Sequence, residues 1–292
     1  MVMLARAHFA LAGLLAPTMT ARRALRLFST PLAAMRARAR EMSEDGARLS
    51  TIDVDGTPLV HYVWGDPQIQ PYVLLAHGWS DYALRFLPWV GALRAQGYAV
   101  VGFDQASHGR SGRGRGYLVD FARRVAAAIA RFGPASAVVA HSFGGAATAL
   151  ALSEGTSVGR VVLIAPPADL IAATNRFARQ IHLPRQALRR MRRLIEAELD
   201  TQLDSFHIHR HVTALNVPAL IVHDVGDREV PWCEGERYAR YWQHARLLST
   251  NGLGHRRIVN DPSTIEAALR FLRGEEVGER VVSTRDLPFG IA

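Results

Sequence analysis

Ala137-Val-Val-Ala-His-Ser-Phe-Gly-Gly145 (AVVAHSFGG) is the stretch on which the reading of this chain turns. Ala137–His141 is an apolar run of strand length, and Gly144–Leu152 continues with helical spacing. A serine at so sharp a strand-to-helix turn is lifted out of a sheet and presented to a substrate. Small neighbours are needed there because the backbone is strained and closely packed. Gly144 meets that need, while Ala140 stands where glycine is usual two residues before such a serine. A serine capping a helix beside packing glycines is the plain structural alternative.

Working outward, the chain alternates strands with helices. Thr51–Val54 and Leu59–Trp64 predict a hairpin turned by Asp55–Gly56. Tyr72–Ala76, Tyr98–Phe103, Arg160–Ala165, Ala219–His223 and Ala245–Leu248 read as further strands, eight in all with Ala137–His141. Helical spacing covers Leu84–Gln96, Asp120–Phe132, Glu234–Tyr241 and Thr264–Leu272. Continuous apolar strands between helices predict an α/β fold, with a mostly parallel eight-stranded sheet and helices on both faces. In such sheets function collects at the carboxyl ends of the strands.

Three more polar motifs lie at predicted strand ends. His77-Gly78-Trp79-Ser80 follows Tyr72–Ala76. The backbone N–H groups of Trp79 and Phe143 are candidate donors to an oxyanion, the charge that develops on a carbonyl oxygen under attack. His77, Gly78 and His141 flank this point and are expected to contact substrate. Asp224-Val-Gly-Asp227-Arg-Glu229-Val-Pro231 follows Ala219–His223 and offers a carboxylate to orient a histidine. Asp227 lies in the loop, Asp224 nearer the strand in a structural position, and Glu229 is a weaker candidate. Asn251-Gly-Leu-Gly-His255 supplies a histidine able to take and return a proton near neutral pH. The order along the chain is Ser142, Asp227, His255.

These motifs together resemble the α/β-hydrolase superfamily over about residues 50–272. Phe103–Asp104 and Ser107-His108-Gly109-Arg110-Ser111 also resemble its D-x-x-x-H-G-x-S loop. The lidded esterase and acyltransferase-like branch is the most similar. The resemblance implies Ser142 as nucleophile, His255 as base, Asp227 as acid, and Trp79 and Phe143 as oxyanion donors. It implies cleavage of a carboxylic ester or thioester through an acyl-enzyme, with no cofactor and no metal. Acyl transfer or perhydrolysis at the same triad is the alternative enzyme, and a non-catalytic binding protein on the same fold the alternative of another class. Superfamily members with an aspartate nucleophile, the haloalkane dehalogenases and epoxide hydrolases, would need aspartate at position 142, and Ser142 argues against both.

Two regions lie outside the alternation. Residues 1 to about 48 are rich in alanine and arginine and read as a helical N-terminal extension. Their apolar run His8–Ala16 is too short to span a bilayer and is interrupted by Pro17, Arg22, Arg23 and Arg26. We read the extension as cytoplasmic, with weak membrane-surface association as the alternative. Residues of about 166–217 interrupt the sheet with helical spacing and read as an inserted helical lid. The tail from Gly274 is charged and poorly patterned.

Bulk composition bounds the rest. The 292 residues are 49% hydrophobic and carry a net charge of +9, with every one of the 35 basic residues an arginine. Arginine without lysine reads as coding-sequence bias, not as a nucleic-acid surface, and Ser111–Gly116 is too short for an Arg-Gly tract. The single cysteine, Cys233, permits no intrachain disulfide and reads as packing. His207, His209 and His211 would share one face of a strand, but no spaced carboxylate or cysteine completes a metal site.

Overall fold

The computed structural model describes residues 2–281, in two compact units. The larger holds residues 32–168 and 208–281; the smaller holds 2–31 and 169–207. Residues 282–292 of the charged tail lie outside the described residues.

The larger unit is built on the predicted sheet. In chain order it runs α3 (Ala33–Glu41), β1 (Arg48–Val54), β2 (Thr57–Trp64), β3 (Tyr72–Ala76), α4 (Leu87–Ala95), β4 (Ala99–Phe103), α5 (Leu118–Phe132), β5 (Ala135–His141), α6 (Phe143–Ser153) and β6 (Val158–Ile164). It resumes with α9 (Ile208–His211), β7 (Ala219–Asp224), α10 (Trp232–Tyr241), β8 (Ala245–Thr250), α11 (Gly254–Arg257) and α12 (Pro262–Leu272). The strand order is β1-β2-β4-β3-β5-β6-β7-β8. β2 pairs antiparallel with β1 and with β4, and every later pairing is parallel. The hairpin turns at Asp55–Gly56, both at positive φ, as the Asp-Gly pair requires.

Alternation along each buried strand sends successive side chains to opposite faces. Val73, Leu75, Val139, Val162, Ile164, Leu220 and Val222 form one core with Trp89 and Leu93 of α4 and Ile265, Ala268 and Leu269 of α12. The intervening Leu74, Val101, Val138, Val161, Leu163 and Ile221 are equally buried and face the opposite layer. α4 opens with a 3-10 turn at Ala83–Phe86, because Pro88 near its start suits a helix beginning and no earlier position.

The loop after β4 is organised by Asp104, which is fully buried. Its carboxyl group accepts from the backbone N–H of Ala83 at 2.9 Å, the Tyr62 hydroxyl at 2.8 Å and the N–H of Arg110 at 2.8 Å. Ser111 donates to the Asp104 carbonyl at 2.6 Å and accepts from Val60 N–H at 2.8 Å. The D-x-x-x-H-G-x-S pattern is thus a hydrogen-bonded brace joining β2, β4 and the chain entering α4.

The smaller unit is helical: α1 (Val2–Leu15), α2 (Pro17–Ser29), α7 (Leu170–Ile181) and α8 (Arg185–Leu199). α8 buries Ala187, Leu188, Met191 and Ile195, one stripe at helical spacing, and α2 buries Thr20, Ala21, Ala24 and Leu25. Arg192 ties α8 to α7 through Thr174 Oγ1 at 2.9 Å, the Ile171 carbonyl at 3.0 Å and Asn175 Oδ1 at 2.7 Å. Phe28 of α2 meets Phe177 of α7 with ring centroids 5.0 Å apart.

This partition differs from the one expected, in which residues 1–48 formed one extension and 166–217 another element. Pro31 ends the α2 segment, and beyond it Ala39 sits in the sheet core while Arg36 Nη2 donates to the Ser111 carbonyl at 2.5 Å. At the other end, Ile208 N–H donates to the Ala168 carbonyl at 3.1 Å, closing the larger unit across the insertion. His209 and His211 lie on a helical turn, not a strand, so their predicted common face does not form. Among the described residues no group of His, Cys, Asp and Glu is arranged to hold a metal ion. No described helix is long and apolar enough to cross a membrane.

Replacing Asp104 by alanine strands two buried donors and one half-buried donor at once. Asp104→Ala is expected to lower the unfolding free energy by about 2–4 kcal/mol, read from urea denaturation midpoints at constant m.

Candidate active site

The site starts from one backbone angle. Ser142 has φ 53° and ψ −125°, a conformation that costs a non-glycine residue about 1–3 kcal/mol. It persists because the surroundings over-determine it. Ser142 N–H donates to the Ile164 carbonyl at 2.8 Å, and its own carbonyl accepts from Gly145 N–H at 2.8 Å. A methyl group on Gly144 would stand 2.4 Å from the His77 carbonyl oxygen and 2.6 Å from that of Ala76. One on Gly78 would stand 2.9 Å from Ser142 Cβ. Neither position tolerates a side chain without moving backbone. Ala140, by contrast, is fully buried within β5, and its methyl group is accommodated.

Because β3 lies beside β5, its end delivers His77–Ser80 to the serine. The N–H groups of Trp79 and Phe143 donate no hydrogen bond to any described residue. His108 holds this turn: its Nε2 accepts from Ser80 N–H at 3.0 Å and its Nδ1 donates to the Ala106 carbonyl at 2.8 Å. Burial, helped by neighbouring His77, pushes the His108 imidazole down to about 3, so it stays neutral and its Nε2 remains an acceptor.

His255 rises from α11, one turn beyond β8. Its Nε2 is 2.9 Å from Ser142 Oγ and its Nδ1 is 2.7 Å from Asp227 Oδ2. The second oxygen of Asp227 accepts from the N–H groups of Glu229 at 2.8 Å and Val230 at 2.9 Å. Burial raises the Asp227 carboxyl, but hydrogen bonds from His223 and His255 outweigh it and hold the group well below the ordinary carboxylate range. The two other acids considered do different work. Asp224 accepts from Gly226 N–H, Thr250 Oγ1 and Leu253 N–H at 3.0, 2.8 and 2.9 Å, tying the β7 loop to the loop that carries His255. Glu229 is exposed and pairs with Arg256 at 2.9 Å.

His77 and His141, expected to touch substrate, are enclosed instead. His77 is fully buried; its Nδ1 donates to the Gly78 carbonyl at 2.7 Å and its Nε2 accepts from Gln105 N–H at 3.0 Å. His141 donates from Nε2 to the His255 carbonyl at 3.0 Å. Burial, reinforced by adjacent His255, holds its pKa well below the usual value. Both rings therefore shape the site from within.

Two contributors escaped the sequence reading. His223, fully buried on β7, donates from Nε2 to the Val230 carbonyl at 3.0 Å and lies 3.5 Å from Asp227 Oδ2. Asp81 lies 4.0 Å from His141 Nδ1 and pairs with Arg85 at 3.2 Å. The only sequence signal for His223 is a histidine ending an apolar strand just before the acidic loop. Asp81 has none.

Two outcomes follow from this geometry. Gly144→Ala places a methyl against two backbone carbonyls and is expected to cost about 1–3 kcal/mol in urea unfolding. Asp227 has a lowered folded pKa, so its stabilisation is present above the ordinary carboxyl value of about 3.9 and is lost as pH falls through the folded value. Asp227→Asn should therefore lower stability at pH 7 and flatten the decline of stability below about pH 4.

A model of the family described as serine aminopeptidase, S33, matches residues 67–207, a span that includes Ser142 and ends before Asp227 and His255. No curated protein matches the chain by sequence. Among solved structures, a membrane phospholipase A, titled a bacterial virulence factor, is 21% identical at a TM-score of 0.61, over 83% of this chain and 90% of that one. An esterase from Rhodococcus sp. ECU1013 is 19% identical at a TM-score of 0.56, over 78% and 98%. A hydrolase described as CIB-like, from Thermoplasma acidophilum, is 18% identical at a TM-score of 0.59, over 79% and 99%. At these identities the likeness to each is one of fold. The chain has the α/β-hydrolase fold, and its residues 67–207 are similar to that hydrolase family model.

Proposed function

We propose that the chain is a serine esterase that cleaves a carboxylic ester or thioester through an acyl-enzyme at Ser142. The observation that carries the reading is the unbroken hydrogen-bond line Ser142 Oγ–His255–Asp227, at 2.9 and 2.7 Å, beside two backbone N–H groups that have no hydrogen-bond partner among the described residues. His255 takes the Ser142 proton as Oγ attacks the substrate carbonyl carbon. The oxyanion accepts from Trp79 and Phe143 N–H. The carbonyl re-forms, the bond to the alcohol or thiol breaks, and His255 protonates that leaving group. Water, deprotonated by His255, then attacks the acyl carbon and releases the acid and free Ser142. Asp227 holds Nδ1–H in place, so that Nε2 faces the serine, and stabilises the imidazolium. His141 and His223 act at one remove, as positioning residues for His255 and Asp227.

The test is labelling with a fluorophosphonate probe, peptide mapping of the adduct, and turnover of p-nitrophenyl esters of graded chain length. We expect the adduct on Ser142. Ser142→Ala should lose it and lower kcat about 10⁴-fold or more, while keeping the unfolding midpoint near wild type. Asp227→Asn should lower kcat by about 10⁴-fold. A burst of p-nitrophenol from Ser142→Ala equal to wild type would overturn the proposal.

A further inference from the structure

The smaller unit leaves one face of its N-terminal helices without a protein partner. Ala16 N–H closes α1 on the Ala12 carbonyl at 2.8 Å and the Ala16 carbonyl opens α2 by accepting from Thr20 N–H at 3.0 Å, but Ala16 itself has φ −135° and ψ 63°, so the helical path breaks there. α2 turns back on α1, bringing Arg23 Nη1 to 3.1 Å from His8 Nε2. On the inward face, Gly13, Thr20, Ala21, Ala24 and Leu25 are buried. The approach there is close: a methyl group on Gly13 would stand 2.5 Å from the Pro184 ring. On the outward face Leu11, Leu14, Leu15 and Met19 are 64%, 69%, 86% and 67% exposed. Positions 11, 14 and 15 follow the three-and-four spacing of one side of α1, and Met19 lies in the first turn of α2. Arg22, Arg23 and Arg26 of α2 are exposed as well.

An exposed apolar strip on a packed helix marks a contact surface. Charge selects the occupant. Residues 1–31 contain four arginines and no acidic residue, and the first acid in the chain is Glu41. With Arg176, Arg179, Arg185, Arg189, Arg190, Arg192 and Arg193 the smaller unit carries 11 arginines against the five acids Asp169, Glu196, Glu198, Asp200 and Asp204, a net +6 of the chain's +9. A second copy of the chain seated on this face would bring two rows of arginine together with no acid on either strip to meet them. A bilayer with anionic headgroups satisfies both halves: leucines enter the boundary between headgroups and acyl chains while the arginines meet phosphates. The described helices are too short to span that bilayer, so the arrangement suits lying on it.

We infer that the outward face of α1 and α2 docks this protein on anionic phospholipid membranes, with Leu11, Leu14, Leu15 and Met19 as the inserting residues and Arg22, Arg23 and Arg26 as the phosphate contacts. The inference needs nothing of the reaction at Ser142 and is tested without an activity assay.

The experiment is co-sedimentation of the full chain with vesicles of phosphatidylcholine alone and of phosphatidylcholine with 30% phosphatidylglycerol, in about 0.1 M salt, where the Debye length is about 10 Å. We expect binding to the anionic vesicles at least about ten times tighter than to the neutral ones, weakening as salt rises. The double variant Leu14→Asp, Leu15→Asp should bind about tenfold more weakly or worse, and Arg22→Glu, Arg23→Glu should lose the preference for phosphatidylglycerol. All four positions are exposed, so circular dichroism and the unfolding midpoint should stay at wild type. Arg131→Glu, an exposed site in the larger unit, controls for net charge and should bind within a factor of about two of wild type. Equal sedimentation of wild type and the Leu14/Leu15 variant would overturn the inference. So would no sedimentation of wild type, an equal loss in Arg131→Glu, or a concentration-dependent dimer abolished by the Leu14/Leu15 variant in a protein that ignores vesicles.

Discussion

Everything at the candidate site depends on the left-handed turn of Ser142 between β5 and α6. That single residue ends a buried strand, begins a helix and turns its side chain out of both. An isolated peptide would not hold it. The turn stands because β3 and β6 lie on either side of β5: β6 supplies the Ile164 carbonyl, and β3 brings backbone so near that only glycine fits at 78 and 144. Parallel pairing sets the register of three strand ends at once, and the serine, its neighbouring amides and their spacing follow from that register.

The second constraint is electrostatic. One strand end, that of β7, carries two buried carboxylates three residues apart, and their surroundings give them separate tasks. Asp224 is held low because the N–H groups of Leu253 and Gly254 and the Thr250 hydroxyl outweigh the effect of burial, so it acts as a clasp between loops. Asp227 is held low by two imidazoles, His223 and His255. A carboxylate between two histidines, with its other oxygen on the amides of Glu229 and Val230, has one orientation available to it. His255 inherits that orientation through Nδ1 and passes it to Nε2. His141 fixes the same residue from its carbonyl, so both the side chain and the backbone of His255 are held.

The helical unit shows a different economy. Neither α2 nor α8 could bury its apolar stripe alone, and the two lie more than 150 residues apart in the chain. Packing them together hides Leu25, Leu188, Met191 and Ile195 and lets Arg192 spend its guanidinium on three acceptors of α7. Arginine is suited to this use, since its planar fork keeps several donors in fixed directions while its stem packs against apolar surface. The same residue type, on the outward side of α2, faces water instead.

Much of this was legible in the residues. The strands were readable because each is a short apolar run bounded by turn residues. The serine, the acidic loop and the late histidine were readable because the chemistry demands those types at strand ends, and the preference for Asp227 over Asp224 followed from distance along the loop. What was not legible needed the third dimension. Asp81 lies far in sequence from His141, and His223 reaches Asp227 and Val230 only because the loop after β7 folds back over the strand end. His141 stands beside the serine in the sequence and His77 beside the Gly78 turn, yet backbone groups of Gly78 and Gln105 occupy the ring nitrogens of His77, and the His255 carbonyl takes Nε2 of His141. The partner of the N-terminal helices was equally hidden, since an amphipathic stripe records that a face will be buried and never against what. Local periodicity and strand-end chemistry are properties of neighbouring residues, so the sequence determined by itself the sheet and the candidate serine, acid and base. Hydrogen-bond partners and packing partners are properties of the fold, so only the tertiary structure decided how those residues are held and where the helices at the start of the chain belong.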